Sequence, residues 1–308
     1  MENTRAKTTR NSLILLLTAT IWGMAFVSQS KGMDYMHPFT FNGVRSLIGA
    51  AGILMYILIS RKIAGDKAAK LDWKLNVKAG LLCGIFLTIA STLQQFGIKY
   101  TSVGKAGFIT TLYIIFVPMF GIFLKKKVAP VVWAAAGMAA VGMYLLCMTE
   151  SLRLGAGDVM VFLCAIAFAI QIMTVDHYAA SIDGAVVSCI QFTVCGVVCC
   201  IGALIWGQPT FGQIQEGLGA LLYAGVLSCG VGYTLQIVGQ KGLNPTVAAL
   251  IMSLESVIAT ISGWIAYKIG FLSTDQTLTP RQIAGCVIVF AAVILVQLPP
   301  EWFRFGKK

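Results

Sequence analysis

Two ionisable side chains stand inside long apolar runs of the sequence and are the best candidates for chemistry. Arg45 lies in a run that begins near residue 38, and Glu255 lies in a run that begins near residue 245. An ionisable group inside a bilayer is costly unless it has a partner or a water-filled cavity. We therefore expect Arg45 to face a substrate carboxylate. Glu255 would contact a substrate amine or carry a coupling proton or cation.

A structural role stays open for each of these two residues. Arg45 could anchor a helix end, with its aliphatic stem in the bilayer and its head group at the interface. Glu255 could be a carboxylate that is hydrogen-bonded between neighbouring helices. The sequence does not separate these roles from the functional ones.

Amide and aromatic side chains form a second group of candidates. Polar side chains are unfavourable against lipid, so they should face the interior of the bundle, where lining a cavity and bonding helices together are both open roles. Helical spacing places Asn42 on the face of Arg45. It also places Tyr233, Gln236 and Gln240 on one face. The predicted binding residues are Trp22, Asn42, Arg45, Gln94, Gln95, Tyr113, Gln171, Tyr233, Gln236 and Glu255.

The composition requires that these residues be positioned by membrane helices. The chain is 57% hydrophobic and 11% charged, whereas soluble domains carry about 25% charged residues. A span needs about 20 apolar residues. Windows of that length predict an all-α membrane protein with ten transmembrane helices, at 12–30, 38–60, 77–97, 102–124, 128–148, 156–178, 184–206, 216–240, 245–268 and 281–298.

The distribution of Lys and Arg predicts the orientation of these spans. With a cytoplasmic N-terminus, 16 of these residues lie in inner segments and 6 in outer segments. Positive charge is enriched on the cytoplasmic side. We therefore expect a multi-pass protein of the inner (plasma) membrane with both termini cytoplasmic. The net charge of +11 is explained by this bias, and we expect no nucleic-acid partner.

A weak internal repeat divides the chain into residues 1–150 and 151–308. A shift of 146 residues places Leu17 on Leu163, and a shift of 143 residues further along places Val103 on Thr246. Each half would hold five spans. Because five is odd, two similar halves must insert in opposite directions, which predicts two inverted five-helix repeats. Carriers use such repeats to expose one central site to either side of the membrane.

Several short motifs resemble the drug/metabolite transporter superfamily, specifically its EamA-type members. Trp22-Gly23 is similar to the family's W-G pattern, and Tyr100-Thr101-Ser102 resembles its Y-T-S turn. Ser253-Leu254-Glu255-Ser256-Val257 resembles the motif S-L-E-P-V, with Ser256 where the family usually has Pro. We therefore expect a straighter ninth helix here. The remaining matches are Pro38 with Arg45, and Leu278-Thr279-Pro280 with Gln282 and Gly285.

The resemblance implies a ten-span metabolite carrier, often an exporter of amino acids or related compounds. It leaves a multidrug or organic-cation exporter of the same fold as the alternative, and a membrane enzyme or scaffold as a third. No Walker loop, G-x-S-x-G or H-E-x-x-H motif occurs. We therefore expect no enzymatic activity, no cofactor and no metal. The small residues of the fifth and tenth spans suggest close helix packing or a homodimer contact.

Overall fold

The computed structural model describes residues 2–65, 71–124, 129–147, 155–273 and 275–297. All regular secondary structure within these ranges is helical, and they contain no strand. Some of the Lys and Arg residues used to predict the orientation lie outside these ranges, at positions 67, 70, 125–127, 153, 304, 307 and 308. The same holds for the outer ends of the predicted spans 128–148 and 281–298.

The described residues contain ten long helical segments and a short helix at Phe211–Glu216. Eight of them, α1–α4 and α6–α9, are long and apolar enough to cross a membrane. The apolar parts of α5 and α10 are shorter, at Pro130–Gly142 and Pro280–Leu295. The segments are α1 (Glu2–Gly32), α2 (Pro38–Ala64), α3 (Trp73–Ile98), α4 (Val103–Phe123), α5 (Pro130–Cys147), α6 (Ala156–Tyr178), α7 (Gly184–Gly207), α8 (Leu218–Gln240), α9 (Pro245–Lys268) and α10 (Pro280–Gln297).

Local sequence explains where several of these helices begin. Pro38, Pro130, Pro245 and Pro280 are each the first residue of a helix, where the missing backbone N–H costs nothing. Side chains cap other first turns, since the first N–H groups of a helix lack intrahelical partners. For α4 and α7, the side chains of Ser102 and Asp183 accept hydrogen bonds from these N–H groups.

The helix contacts are similar when the first five helices are exchanged, in order, with the last five. We call two helices counterparts when they hold the same position in the two halves, as α1 and α6 do. Three pairs, α2 with α7, α4 with α9 and α5 with α10, join a helix to its counterpart in the other half. The other extensive contacts come in matched sets. Thus α3 packs on α6 and α7, as α8 packs on α1 and α2, while α6 packs on α4, as α1 packs on α9.

Two counterpart helices, α4 and α9, are interrupted at corresponding points. Helix α4 is interrupted at Leu112, six residues before Pro118, and α9 at Ser253 and Leu254. Serine at position 256 in place of the family's proline therefore does not make the ninth helix continuous. The side-chain hydroxyl of Ser256 donates to the backbone oxygen of Ser253 at 2.8 Å. Such a bond competes with the backbone hydrogen bonds of the helix. The helix is therefore interrupted next to Ser256, although the proline typical of the family is absent.

The middle of α8 is a π-helix at Tyr223–Gly232, a feature that was not predicted. Such segments are rare and often occur at functional sites. At Gly232 a Cβ atom would lie 2.6 Å from Nε1 of Trp22, so only glycine allows the indole of α1 to approach this backbone. Tyr233 begins the α-helical part that follows.

Candidate functional site

A cavity lies between the helices of the part of the chain that the structure describes, and eight helices contribute to its wall. Helices α5 and α10 contribute no residue to it. Eight of the ten predicted binding residues line the cavity. They are Trp22, Arg45, Gln94, Tyr113, Gln171, Tyr233, Gln236 and Glu255.

The cavity is small in this conformation. The volume open to the centres of water-sized molecules is about 30 Å³, and each buried water needs about 10–15 Å³ by this measure. Room for about two or three waters is too little for a ligand of the size of an amino acid in this conformation.

The interrupted helices meet at the cavity through Tyr113 and Glu255. Each residue is the first of the segment that follows an interruption, and the Tyr113 hydroxyl donates to Oε1 of Glu255 at 3.0 Å. The Glu255 side chain is 4% exposed. The interruption of α9 therefore places this acid at the cavity and within reach of the Tyr113 hydroxyl.

Arg45 supplies a positive charge to the same cavity without a protein counterion. Its side chain is 5% exposed, and the guanidinium lies 5.4 Å from the centre of the Phe41 ring. Its Nε atom has no hydrogen-bond partner. Among the described residues, no carboxylate oxygen lies within 4.0 Å of an Arg45 nitrogen, the limit for an ion pair. Glu255 therefore does not neutralise Arg45 directly, although both line one cavity.

Aromatic rings form much of the remaining wall. The ring centres of Trp22 and Tyr233 are 4.5 Å apart, and Phe192 meets Tyr233 edge to face at 5.0 Å. Two further polar atoms in the lining have no hydrogen-bond partner among the described residues. They are Nε1 of Trp22 and Oε1 of Gln29. A polar ligand would find one donor and one acceptor here in addition to the Arg45 guanidinium and the Glu255 carboxyl group.

The amides of the lining are mostly bonded to each other or to hydroxyls. Gln171 of α6 and Gln236 of α8 exchange two hydrogen bonds, at 3.4 and 3.2 Å. Gln94 of α3 donates to the Thr110 hydroxyl of α4 at 3.2 Å. Each pair joins two helices of the same half, α6 with α8 in the second and α3 with α4 in the first, so the amides fix the shape of the wall.

Two predicted binding residues, Asn42 and Gln95, do not line the cavity. Asn42 donates to the backbone oxygen of Ser91 at 2.8 Å, and Gln95 donates to that of Gln29 at 3.1 Å. In the second half Gln240 donates to the oxygen of Ile172 at 3.3 Å, the same arrangement between the counterpart helices. These buried amides hold helices together.

Other cavity residues were not singled out from the sequence. Phe26 and Gln29 follow Trp22 by four and seven residues, the spacing of one helix face, so this signal was present. Ser91 likewise precedes Gln94 by three. The same spacing relates Thr110 to Tyr113, Phe168 to Gln171 and Cys229 to Tyr233. The remaining lining residues are Ser46, Leu87, Ile172, Phe192 and Ser228.

Comparison with known proteins identifies the family. The model of the EamA-like transporter family matches twice, over residues 10–148 and 155–298. The chain belongs to the EamA-like transporter family. An uncharacterized transporter of Archaeoglobus fulgidus is 27% identical over 92% of this chain and 84% of its own length. The uncharacterized transporter YwfM of Bacillus subtilis is 25% identical over 94% of both chains.

A solved structure described only as "Crystal structure of protein" has a similar fold. Its TM-score is 0.73 at 16% identity, over 96% of this chain and 99% of that one. At this identity the likeness concerns the fold alone. Family, relatives and apolar helices together make this EamA-family member a multi-pass membrane protein with a role in transport.

Proposed function

We propose that this protein is a secondary active transporter of a small zwitterionic metabolite, an amino acid or a related compound. One observation supports this most directly: Arg45 and Glu255 line the same buried cavity and do not form an ion pair with each other. A zwitterion carries the two charges needed to compensate both groups, its carboxylate toward Arg45 and its ammonium toward Glu255. Buried charges are stable only when paired in this way.

The proposed mechanism is alternating access by two inverted five-helix repeats. The division at residues 150 and 151 is supported by the packing pattern, in which each strong contact is either shared by counterparts or matched by an exchanged pair. The interruptions of α4 and α9 lie at corresponding points beside the cavity. Inverted repeats of this kind allow the two halves to exchange conformations around a fixed site.

Direction and coupling are further parts of the proposal. We infer export, both termini in the cytoplasm, and a plasma-membrane location from the Lys and Arg distribution and the family resemblance. Glu255 is the proposed coupling group, because a buried carboxylate with one hydrogen-bond donor can exchange a proton for a substrate ammonium. We also propose that two copies of the chain form a homodimer through α5 and α10, whose small residues allow close helix packing.

The test is counterflow in proteoliposomes that contain the purified protein. Liposomes preloaded with the twenty unlabelled protein amino acids should accumulate label from the same mixture in ¹⁴C form. Three unlabelled competitor sets are then compared at equal concentration: the amino acids, the amines formed by their decarboxylation, and the corresponding 2-hydroxy acids. Competition by the zwitterions alone supports the proposal, and the absence of counterflow contradicts it.

An organic-cation exporter is the second candidate, and the aromatic wall with one acid favours it. Trp22, Tyr233 and Phe192 could stack on a lipophilic cation beside Glu255. Arg45 opposes this function, because its unpaired charge repels a cation in the same small cavity. Stronger competition by the amines than by the amino acids would establish this second function instead.

A further inference from the structure

Polar atoms without partners are also buried along α7, outside the cavity lining. The Ser188 hydroxyl and both amide atoms of Gln191 have no hydrogen-bond partner among the described residues, and both side chains are fully buried. Nearly all buried polar groups in native proteins are hydrogen-bonded, because an unpaired group costs free energy. Two such residues within one turn of a helix therefore require an explanation.

These residues lie on a polar face of α7 that leads to the cavity. Ser188, Gln191 and Cys195 follow one another at spacings of three and four residues, so they share one helix face. The Cys195 sulfur lies 3.5 Å from the Ser46 hydroxyl and 3.4 Å from that of Ser91, and both serines line the cavity. The polar face is thus continuous with the cavity wall.

Helix α3 packs closely against α7 beside Gln191, and we call this contact the α3–α7 seam. A Cβ atom at Gly84 of α3 would lie 3.1 Å from the Cα atom of Gln191. Because glycine has no side chain, α3 places backbone against α7 and gives the Gln191 amide no partner. Separation of α3 from α7 would relieve this contact at Gln191 and open a route from the cavity toward the end of the bundle where α7 begins.

The internal repeat relates Ser188 and Gln191 of α7 to Asn42 and Arg45 of α2. Gln191 follows Arg45 by 146 residues, and Ser188 follows Asn42 by the same number, the shift that aligns Leu17 with Leu163. Helices α2 and α7, which carry these residues, are counterparts that pack against each other. The second half therefore has an amide where the first half has a guanidinium.

We propose that Ser188 and Gln191 form a second subsite for the substrate carboxylate, used when the cavity opens along the α3–α7 seam. This inference rests on the proposed transport of a zwitterion. The Ser188 O–H and the Gln191 N–H groups can donate hydrogen bonds to a carboxylate without a fixed charge. They hold it more weakly than Arg45, so a substrate that moves from Arg45 to Gln191 is prepared for release.

The first test compares Gln191→Leu with Gln240→Leu, a change at a buried glutamine of α8 that bonds the backbone of α6. Leucine of similar size removes two unpaired atoms at position 191, so the thermal unfolding temperature should rise. Counterflow of the ¹⁴C amino-acid mixture should fall about tenfold, the effect of losing one hydrogen bond to a charged group. Gln240→Leu also loses a hydrogen bond, so it should not raise the unfolding temperature as much, and it should change counterflow less. A rise in unfolding temperature with unchanged counterflow at position 191 would overturn the subsite.

The second test measures whether the seam opens. Ser188→Cys should react with the small hydrophilic reagent methanethiosulfonate ethylammonium, and the unlabelled amino-acid mixture should slow the reaction. Fragment-ion mass spectrometry resolves position 188 from the native Cys189. Ser256→Cys is the control, because Ser256 is fully buried and bonded to Ser253, and it should stay unlabelled.

The combined results separate the two proposals. Counterflow by the wild-type protein without labelling of Ser188→Cys overturns the subsite and leaves the transport function standing. Labelling at position 188 without any counterflow by the wild type overturns the transport function and the subsite with it. Labelling that the amino-acid mixture slows, together with counterflow, supports both.

Discussion

The two halves of this chain are interrupted at similar backbone positions beside the cavity, but the side chains at these positions differ. Tyr113 and Glu255 each begin the second segment of an interrupted helix, yet one is a phenol that donates and the other a carboxylate that accepts. Arg45 lines the cavity, whereas Gln191, which follows it by 146 residues, lies outside the lining. In the proposed function, the similar geometry would allow the halves to exchange conformations, and the different side chains would let one zwitterionic substrate contact two different groups.

A second contrast separates residues that hold the halves together from residues that face the cavity. Gln95 and Gln240 make the same kind of bond in both halves, each to the backbone oxygen of a neighbouring helix. These two positions have the same residue in both halves, whereas Arg45 corresponds to Gln191 under the shift of 146 residues. The following changes test this contrast, beginning with the largest expected effect.

Arg45→Gln gives the first half the residue found at the corresponding position of the second. We expect counterflow to fall at least ~30-fold, because a buried charge partner of the substrate is worth about 2–5 kcal/mol. The unfolding temperature should rise, since an unpaired buried charge is removed. Arg45→Lys should be intermediate because it keeps charge without the guanidinium geometry. Wild-type counterflow in Arg45→Gln would show that Arg45 only anchors a helix.

Glu255→Gln removes the negative charge and keeps an oxygen that accepts from Tyr113. Counterflow should fall about tenfold or more, the effect of losing a hydrogen bond between charged groups, whereas the unfolding temperature should stay close to that of the wild type. Uptake driven by a pH gradient measures the coupling role separately. Full gradient-driven transport by this variant would exclude Glu255 as the coupling group.

Tyr113→Phe leaves the Glu255 carboxylate without its only hydrogen-bond donor among the described side chains. We expect a loss of about 1–3 kcal/mol in stability, the cost of an unsatisfied buried group, read as a lower unfolding temperature in detergent. Tyr233→Phe is the matched control, because Tyr233 contacts Trp22 and Phe192 through its ring. Equal losses in both variants would mean that the bond to Glu255 adds no stability.

Gln95→Leu and Gln240→Leu should give the smallest effects and equal ones. Each removes one hydrogen bond to a backbone oxygen and one unpaired amide oxygen, so the net change in stability should stay within about 1 kcal/mol. Parallel unfolding curves for the two variants measure this. A clear difference between them would argue that the two positions are not equivalent in the repeat.

Much of the site could be predicted because membrane burial makes polar residues conspicuous. Arg45 and Glu255 stood out as charges within apolar runs, and eight of the ten predicted residues line the cavity. Asn42 and Gln95 show the limit of this signal. Burial requires that an amide be bonded, and a backbone oxygen on a neighbouring helix satisfies it as well as a ligand does, so only the packing separates the two cases.

The sequence by itself determined the class of the protein, the approximate spans and the residues that cannot face lipid, because hydrophobicity and charge act residue by residue along the chain. Only the tertiary structure decided that Tyr113 meets Glu255, that α8 contains a π-helix, and that Ser188 and Gln191 are buried without partners. These features depend on how helices distant in sequence approach one another. That approach is set by side-chain packing between helices, which no local pattern records.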